Sequence, residues 1–189
     1  MPRYLEFDVS LQEIQPRIWR RFLLRTTSSF AHLHMAIQAS FGWQNYHLWE
    51  FRMPTFNGRP IAGVPTDGDE DYGRPTPDGR RVKLLDYFSG KRVTEWCEYV
   101  YDFGDDWVHD VKLVRVVSDK EAFKRRLLGG ERSGPPEDCG ATPGYQRMVH
   151  FLDTGEDLYD DPGVDLRAWL GEWRPDAFDL DATRTAFDR

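Results

Sequence analysis

At 189 residues the chain is long enough for a sizeable core, and no linker or internal repeat divides it, so residues 1–189 are expected to fold as a single domain. A net charge of -7 with a pI near 5.2 speaks against broad electrostatic binding to DNA or RNA, and no apolar run approaches the ~20 residues of a membrane span. Two cysteines, Cys97 and Cys139, are too few for a disulfide framework, and Met1 to Glu6 holds no apolar signal core, so a reduced cytoplasmic protein is expected.

Leu5, Phe7, Val9 and Leu11 alternate with Glu6, Asp8 and Ser10, the period of a half-buried strand. After Gln15-Pro16, the run Ile18 to Leu24 predicts a second, antiparallel strand, with Arg17, Trp19 and Arg21 on one face opposite Glu6 and Asp8. The clearest helix follows. Phe30, Leu33, His34, Ile37 and Phe41 form one stripe, Ser28 or Ser29 can cap it, and Gly42 can end it. His34 then lies on the buried stripe and reads as a hydrogen-bonded core histidine rather than a ligand.

His47 to Met53 alternates as a strand with His47, Trp49, Phe51 and Met53 on one face. Residues 54–81 are rich in Pro, Gly and Asp and predict a long surface excursion. Within it Asp67-Gly68-Asp69-Glu70-Asp71 resembles the start of a calcium loop. It puts Tyr72 where glycine is required and Asp78 where Glu belongs, so a solvated acidic loop is expected. Leu84 to Phe88 predicts a short helix or turn.

Cys97 to Phe103 and Trp107 to Val117 predict a hairpin around Gly104-Asp105-Asp106, with Trp107, His109, Val111 and Leu113 pointing one way. Residues 119–128 suit a helix stopped by Gly129 and Gly130. Pro135 to Gly140 reads as an irregular loop and Gly144 to Leu152 as a helix. The last third adds an acidic loop, a helix near 164–171 and another after Asp181. Strands and helices mixed with hairpins predict an α+β fold, a mainly antiparallel sheet with several packed helices.

Chemical groups concentrate in Tyr101 to His109, where three carboxylates, one imidazole and three aromatic rings surround a single glycine. Two chemistries follow if this hairpin meets the 47–51 strand and the 135–140 loop. In the first, Trp49, Tyr101, Trp107 and Tyr145 frame an aromatic pocket for a small molecule or protein partner. Glu50, Asp105, Asp106, Glu137 and Asp138 then set an acidic rim suited to a cationic ligand or a basic segment.

In the second, His47, Asp102, His109 and Glu137 hold a divalent ion that activates water, as in a metal-dependent hydrolase or nuclease. No other cofactor is implied. No compact ligand spacing such as His-Glu-x-x-His is present, so the binding module is the first reading and the hydrolase the second. The triplet Asp102-Phe103-Gly104 lacks the glycine-rich loop, strand lysine and catalytic loop of kinase chemistry. Cys139 as a nucleophile would need a neighbouring base such as His109 or His150, and a structural loop cysteine is preferred.

Several pieces, in order along the chain, look like one family. They are Pro16 to Arg21, Leu33-His34, Phe41-Gly42-Trp43, His47 to Phe51, Tyr101 to His109, and Pro135-Pro136-Glu137-Asp138-Cys139-Gly140 with Gly144-Tyr145. Through them the chain resembles the plasmid pRi ORF-three-like family over nearly its whole length. The resemblance implies a single α+β domain and no defined reaction. Members are often labelled transposon passenger proteins or resolvases, which leaves a mobile-element accessory role as an implication. Direct recombinase chemistry is not expected, because Ser28 and Ser29 sit at a helix start and no basic recognition helix follows. Many members carry a cysteine where this chain has Gly134 and a second glycine where it has Ala141, so a site built on paired cysteines is not expected either.

Overall fold

A computed structural model describes residues 1–55, 58–66, 75–89, 95–159, 161 and 163–188. Its strands are β1 (Arg3–Leu11), β2 (Trp19–Arg25), β3 (Trp49–Arg52), β4 (Pro60–Gly63), β5 (Glu95–Tyr101), β6 (Trp107–Ser118) and β7 (Arg125–Glu131). Its helices are α1 (Phe30–Phe41), α2 (Leu84–Tyr87), α3 (Ala141–Thr154), α4 (Leu166–Leu170) and α5 (Leu180–Phe187). The strands form one sheet in the order β4-β3-β5-β6-β1-β2-β7, and every neighbouring pair is antiparallel. This is the α+β architecture that the pattern of elements predicts.

One face of the sheet carries the core. Phe7 packs on Phe22 and edge-on against Phe88, Phe30 of α1 meets Phe51 and Phe88, and Phe187 of α5 meets Phe22. The α1 stripe is buried as its spacing predicts, and Gly42 ends the helix at φ 85°. Such ring packing buries a large apolar area with few side chains, so it dominates the folding free energy.

The opposite face is a lattice of charges. Glu6 pairs with Arg115 at 2.6 Å and Arg21 at 3.8 Å, Asp8 with Arg21 at 3.3 Å and with Arg17, and Glu98 with Arg52 at 2.7 Å. Arg21 of the second strand therefore answers the carboxylates of the first across the register Asp8–Arg21, helped by Arg17 just before that strand and Arg115 of β6. Arg20 points the other way and is buried without a carboxylate. Its guanidinium donates to the carbonyls of Ser40 at 2.6 Å, Trp19 at 2.7 Å, Glu131 at 3.0 Å and Arg132 at 2.8 Å, and lies over the rings of Phe41 and Phe178.

Three expectations change. Residues 119–128 do not form a helix, because Arg125–Glu131 is strand β7 on the outer edge of β2 and runs through both Gly129 and Gly130. That edge needs partners for its N–H and C=O groups, and this long-range demand outweighs local helix propensity. The 54–81 excursion contains edge strand β4, whose proline sits at the first strand residue, where the missing donor costs no ladder bond. The acidic run Asp67 to Asp71 lies outside the described residues. Finally, the third strand is shorter than its alternation suggests, so His47 precedes it and Met53 follows it.

Candidate functional site

The β5–β6 hairpin closes on the pair Tyr101 and Trp107, with residues 102–106 as its loop. Asp102 takes φ 57° and Asp106 φ 53°, left-handed backbone that Asp tolerates better than most residues. Asp102 Oδ1 accepts from Gly104 N–H at 3.0 Å, while the Asp102 N–H donates to Leu48 O at 3.0 Å. The second bond ties the loop to the chain entering β3. It leaves Asp102 Oδ2 on the side of His47, 3.6 Å from His47 Nε2.

The loop after β7 arrives on separate anchors. Trp43 Nε1 donates to Pro135 O at 2.8 Å, Trp173 Nε1 to Gly134 O at 3.0 Å, and Gly140 N–H to Asp105 Oδ2 at 3.1 Å. A Cβ on Gly134 would lie 2.4 Å from Phe41 O, so this packing has no room for a cysteine there. Glu137 accepts from Gln44 N–H at 2.7 Å and from Tyr101 Oη at 3.1 Å. Asp138, at φ 56°, is thereby brought to 2.9 Å from His47 Nε2.

One donor atom from each of His47, Asp102 and Asp138 lies within 4.8 Å of the others. The His47 ring is braced edge-on against Tyr101 at 5.7 Å. His47 Nε2 is shielded from solvent and makes no aligned hydrogen bond, although Asp138 Oδ1 is close. Donors this near to one another yet misaligned with one another suit a shared ion placed between them. A cavity of about 220 Å³ opens beside Asp138, with Arg147, Met148, Leu166 and Trp169 among its walls.

The remaining candidates have other duties. His109 is fully buried, donates from Nδ1 to Trp107 O at 3.0 Å, and packs against Phe41 and Trp43. Burial pulls its pKa down to about 4, so it is a neutral core residue. The four-residue metal set is therefore corrected among the described residues: His109 belongs to the core, Glu137 serves Gln44 and Tyr101, and Asp138 joins His47 and Asp102. Trp49, Tyr101, Trp107 and Tyr145 are 7, 0, 3 and 4% exposed, so they are core rings and do not wall an open pocket. Trp49 stacks on His34 at 4.2 Å, and Tyr145 meets Trp173 edge-on at 5.8 Å.

Glu50 lies in β3, paired through its backbone with Val100 and Gly63. Asp106 is exposed at the loop, its N–H donating to Asp102 O at 2.6 Å. Burial, with Glu137 close by, pushes the Tyr101 phenol up to about 12, which keeps its proton for Glu137. Burial and the carboxylate of Asp105 push the Cys139 thiol up to about 12, so it carries no thiolate at neutral pH.

His34 is the hydrogen-bonded core histidine that its place on the α1 stripe predicts. Its Nε2 meets Asn45 Oδ1 at 2.7 Å and its Nδ1 meets Tyr99 Oη at 2.8 Å. Asn45 can only receive at that oxygen, so Nε2 carries the proton and Nδ1 accepts from Tyr99. Gln38 extends the network, donating to Tyr99 Oη at 3.0 Å and accepting from Asn45 N–H at 2.9 Å. Gln38 and Asn45 orient the connection that delivers His47, and composition alone does not mark them out. The one available cue is that Asn, like Asp, enters the left-handed region, where Asn45 sits at φ 59°.

The sequence model of the family described as Plasmid pRiA4b ORF-3-like protein matches residues 3–182. An uncharacterised protein, y4hQ, of Sinorhizobium fredii is 34% identical over 170 residues, covering 89% of this chain and 79% of its own. The crystal structure of a protein of unknown function, MM3350, from Methanosarcina mazei Go1 superposes with a TM-score of 0.80 at 30% identity, over 96% of each chain. No helix among the described residues is long and apolar enough to cross a membrane.

Proposed function

The chain belongs to the plasmid pRiA4b ORF-3-like family, and from that premise we propose that it binds a divalent cation through His47, Asp102 and Asp138 and uses it for hydrolytic chemistry. The observation that carries this reading is the convergence of three donor atoms from three separate segments to within 4.8 Å. An imidazole nitrogen with two carboxylate oxygens is a donor set for zinc, manganese or iron(II) rather than for a soft thiolate metal. Three protein ligands are also the number that catalytic sites use to keep a position open. Such a cation supplies Lewis acidity and acidifies water at neutral pH.

The chain's own residues supply the rest. The Gly104 N–H holds one oxygen of Asp102 and so aims the other, Tyr101 braces the imidazole, and Glu137 and Asp105 hold the two loops together. The cavity beside Asp138 gives a substrate room next to the cation, with an apolar wall of Met148, Leu166 and Trp169.

Metal analysis of purified protein, followed by titration of Zn²⁺ and Mn²⁺ into the chelated form, tests the reading. One equivalent bound by the wild type, and at least a tenfold weaker site in both His47→Ala and Asp138→Asn, is the expected result. Equal uptake by wild type and variants, or none by either, overturns it. Esterase and phosphodiesterase assays on the loaded wild type then check the hydrolytic half.

A further inference from the structure

A second polar cleft lies at the start of α1, against the beginning of β7. It holds about 330 Å³, and its polar lining is Arg25, Thr27, Ser28, His32, Lys124 and Arg125. No carboxylate lines it, and none of its three cations is in an ion pair among the described residues, in a chain whose net charge is -7. The backbone bond from Arg25 N–H to Lys124 O, at 3.2 Å, sets these two residues side by side at the cleft. Arg125 is fixed by stacking on Phe187 at 4.8 Å and by donating to Phe187 O and Met35 O, and it feels the charge of Asp188, while its Nη2 has no hydrogen-bond partner among the described residues.

Two further donors complete the lining. The Ser28 hydroxyl reaches solvent at the cleft and has no hydrogen-bond partner among the described residues. His32 Nδ1 receives the Ser29 N–H at 3.2 Å, so its proton sits on Nε2, which is free to donate. A solvent-facing hydroxyl donor and a lining of three cations with no carboxylate among the lining residues both suit an anion.

We propose that this cleft is a phosphate-binding site that takes a phosphate group, free or carried on a small organic molecule. A carboxylate would balance only one of the three cations. A phosphate near neutral pH carries close to two charges and offers several acceptor oxygens for the Ser28 hydroxyl, His32 Nε2 and Arg125 Nη2. The site rests on residues apart from His47, Asp102 and Asp138, so it stands or falls independently of the cation site.

Thermal unfolding at constant ionic strength, with NaCl replaced stepwise by inorganic phosphate and in a parallel series by adenosine monophosphate, tests the proposal. The expected result is a saturable rise in Tm for the wild type and for Lys120→Ala. The dissociation constant should be at least tenfold weaker in the double variant Arg25→Ala/Lys124→Ala, and weakened also in Ser28→Ala. Arg25 and Lys124 are exposed, so the double variant keeps its core. Equal affinity for both ligands identifies the phosphate itself as the target, while at least tenfold tighter binding of the monophosphate identifies an organic phosphate. No saturable rise with either, or a rise that survives the double variant, overturns the site.

Discussion

Ala141 carries φ 59° at the first residue of α3, directly after Gly140 at φ 86°. A Cβ in the left-handed region costs roughly 1–2 kcal/mol, against about 0.4–1 kcal/mol that glycine loses through the freedom of the unfolded chain. Ala141→Gly is therefore expected to stabilise the protein by about 0.5–1 kcal/mol, seen as a raised urea midpoint at unchanged slope. A lowered midpoint would mean that the methyl group makes packing contacts worth more than the strain. The same backbone region holds Asn45, Asp102, Asp106 and Asp138, three of which frame or form the His47–Asp102–Asp138 cluster. At this scale the residue types of the site were legible, and their roles were not. His109 and Asp138 look equally suited to bind a metal on paper. Only the third dimension buries the first in the core and carries the second to His47.

At the scale of elements, what could be read depended on how local the cause is. The α1 stripe and the β5–β6 hairpin are written in residues a few positions apart, and both stand where their patterns put them. Strand β7 is different. Arg125 to Leu128 are acceptable helix formers, and what makes them part of a strand is the open edge of β2, about a hundred positions away in sequence. The glycine read as a stop is instead a point of close approach. A Cβ on Gly130 would lie 2.7 Å from Arg20 Cδ, 2.8 Å from Phe178 Cζ and 2.9 Å from the Trp19 carbonyl oxygen, and the last is backbone that cannot swing aside. Gly130→Ala is expected to cost about 1–3 kcal/mol. Gly129→Ala, whose nearest neighbour stands at 3.6 Å, should change stability by no more than about 0.5 kcal/mol. Chemical unfolding of the pair checks this, and similar losses in both would mean that strand entropy, not crowding, governs the position.

For the whole molecule, the core carries two histidines that the fold keeps neutral. Burial lowers His34 and His109 to about 4, against an ordinary value of 6.5. Between those values the unfolded chain binds protons that the folded one refuses. Their contribution is thus fully present above pH 6.5 and is lost as the pH falls toward 4. Two protons taken up on unfolding correspond to a slope of about 2.7 kcal/mol per pH unit at its steepest. The depressed carboxyls of Asp78 and Asp157, held low by Arg80 and Arg147, lose their effect only between 3.8 and about 2, so they do not blur this window. Urea midpoints taken from pH 7.5 down to 4.5 should therefore fall steeply below 6.5. In His34→Gln, which keeps a side-chain amide near Tyr99 and Asn45, the slope should drop to about half, whatever constant penalty the substitution adds. An unchanged slope would mean that His34 titrates in the folded protein as it does in water. The network of His34, Gln38, Tyr99 and Asn45 would then be open to solvent, and the connection that delivers His47 to Asp102 and Asp138 would be looser than its hydrogen bonds imply.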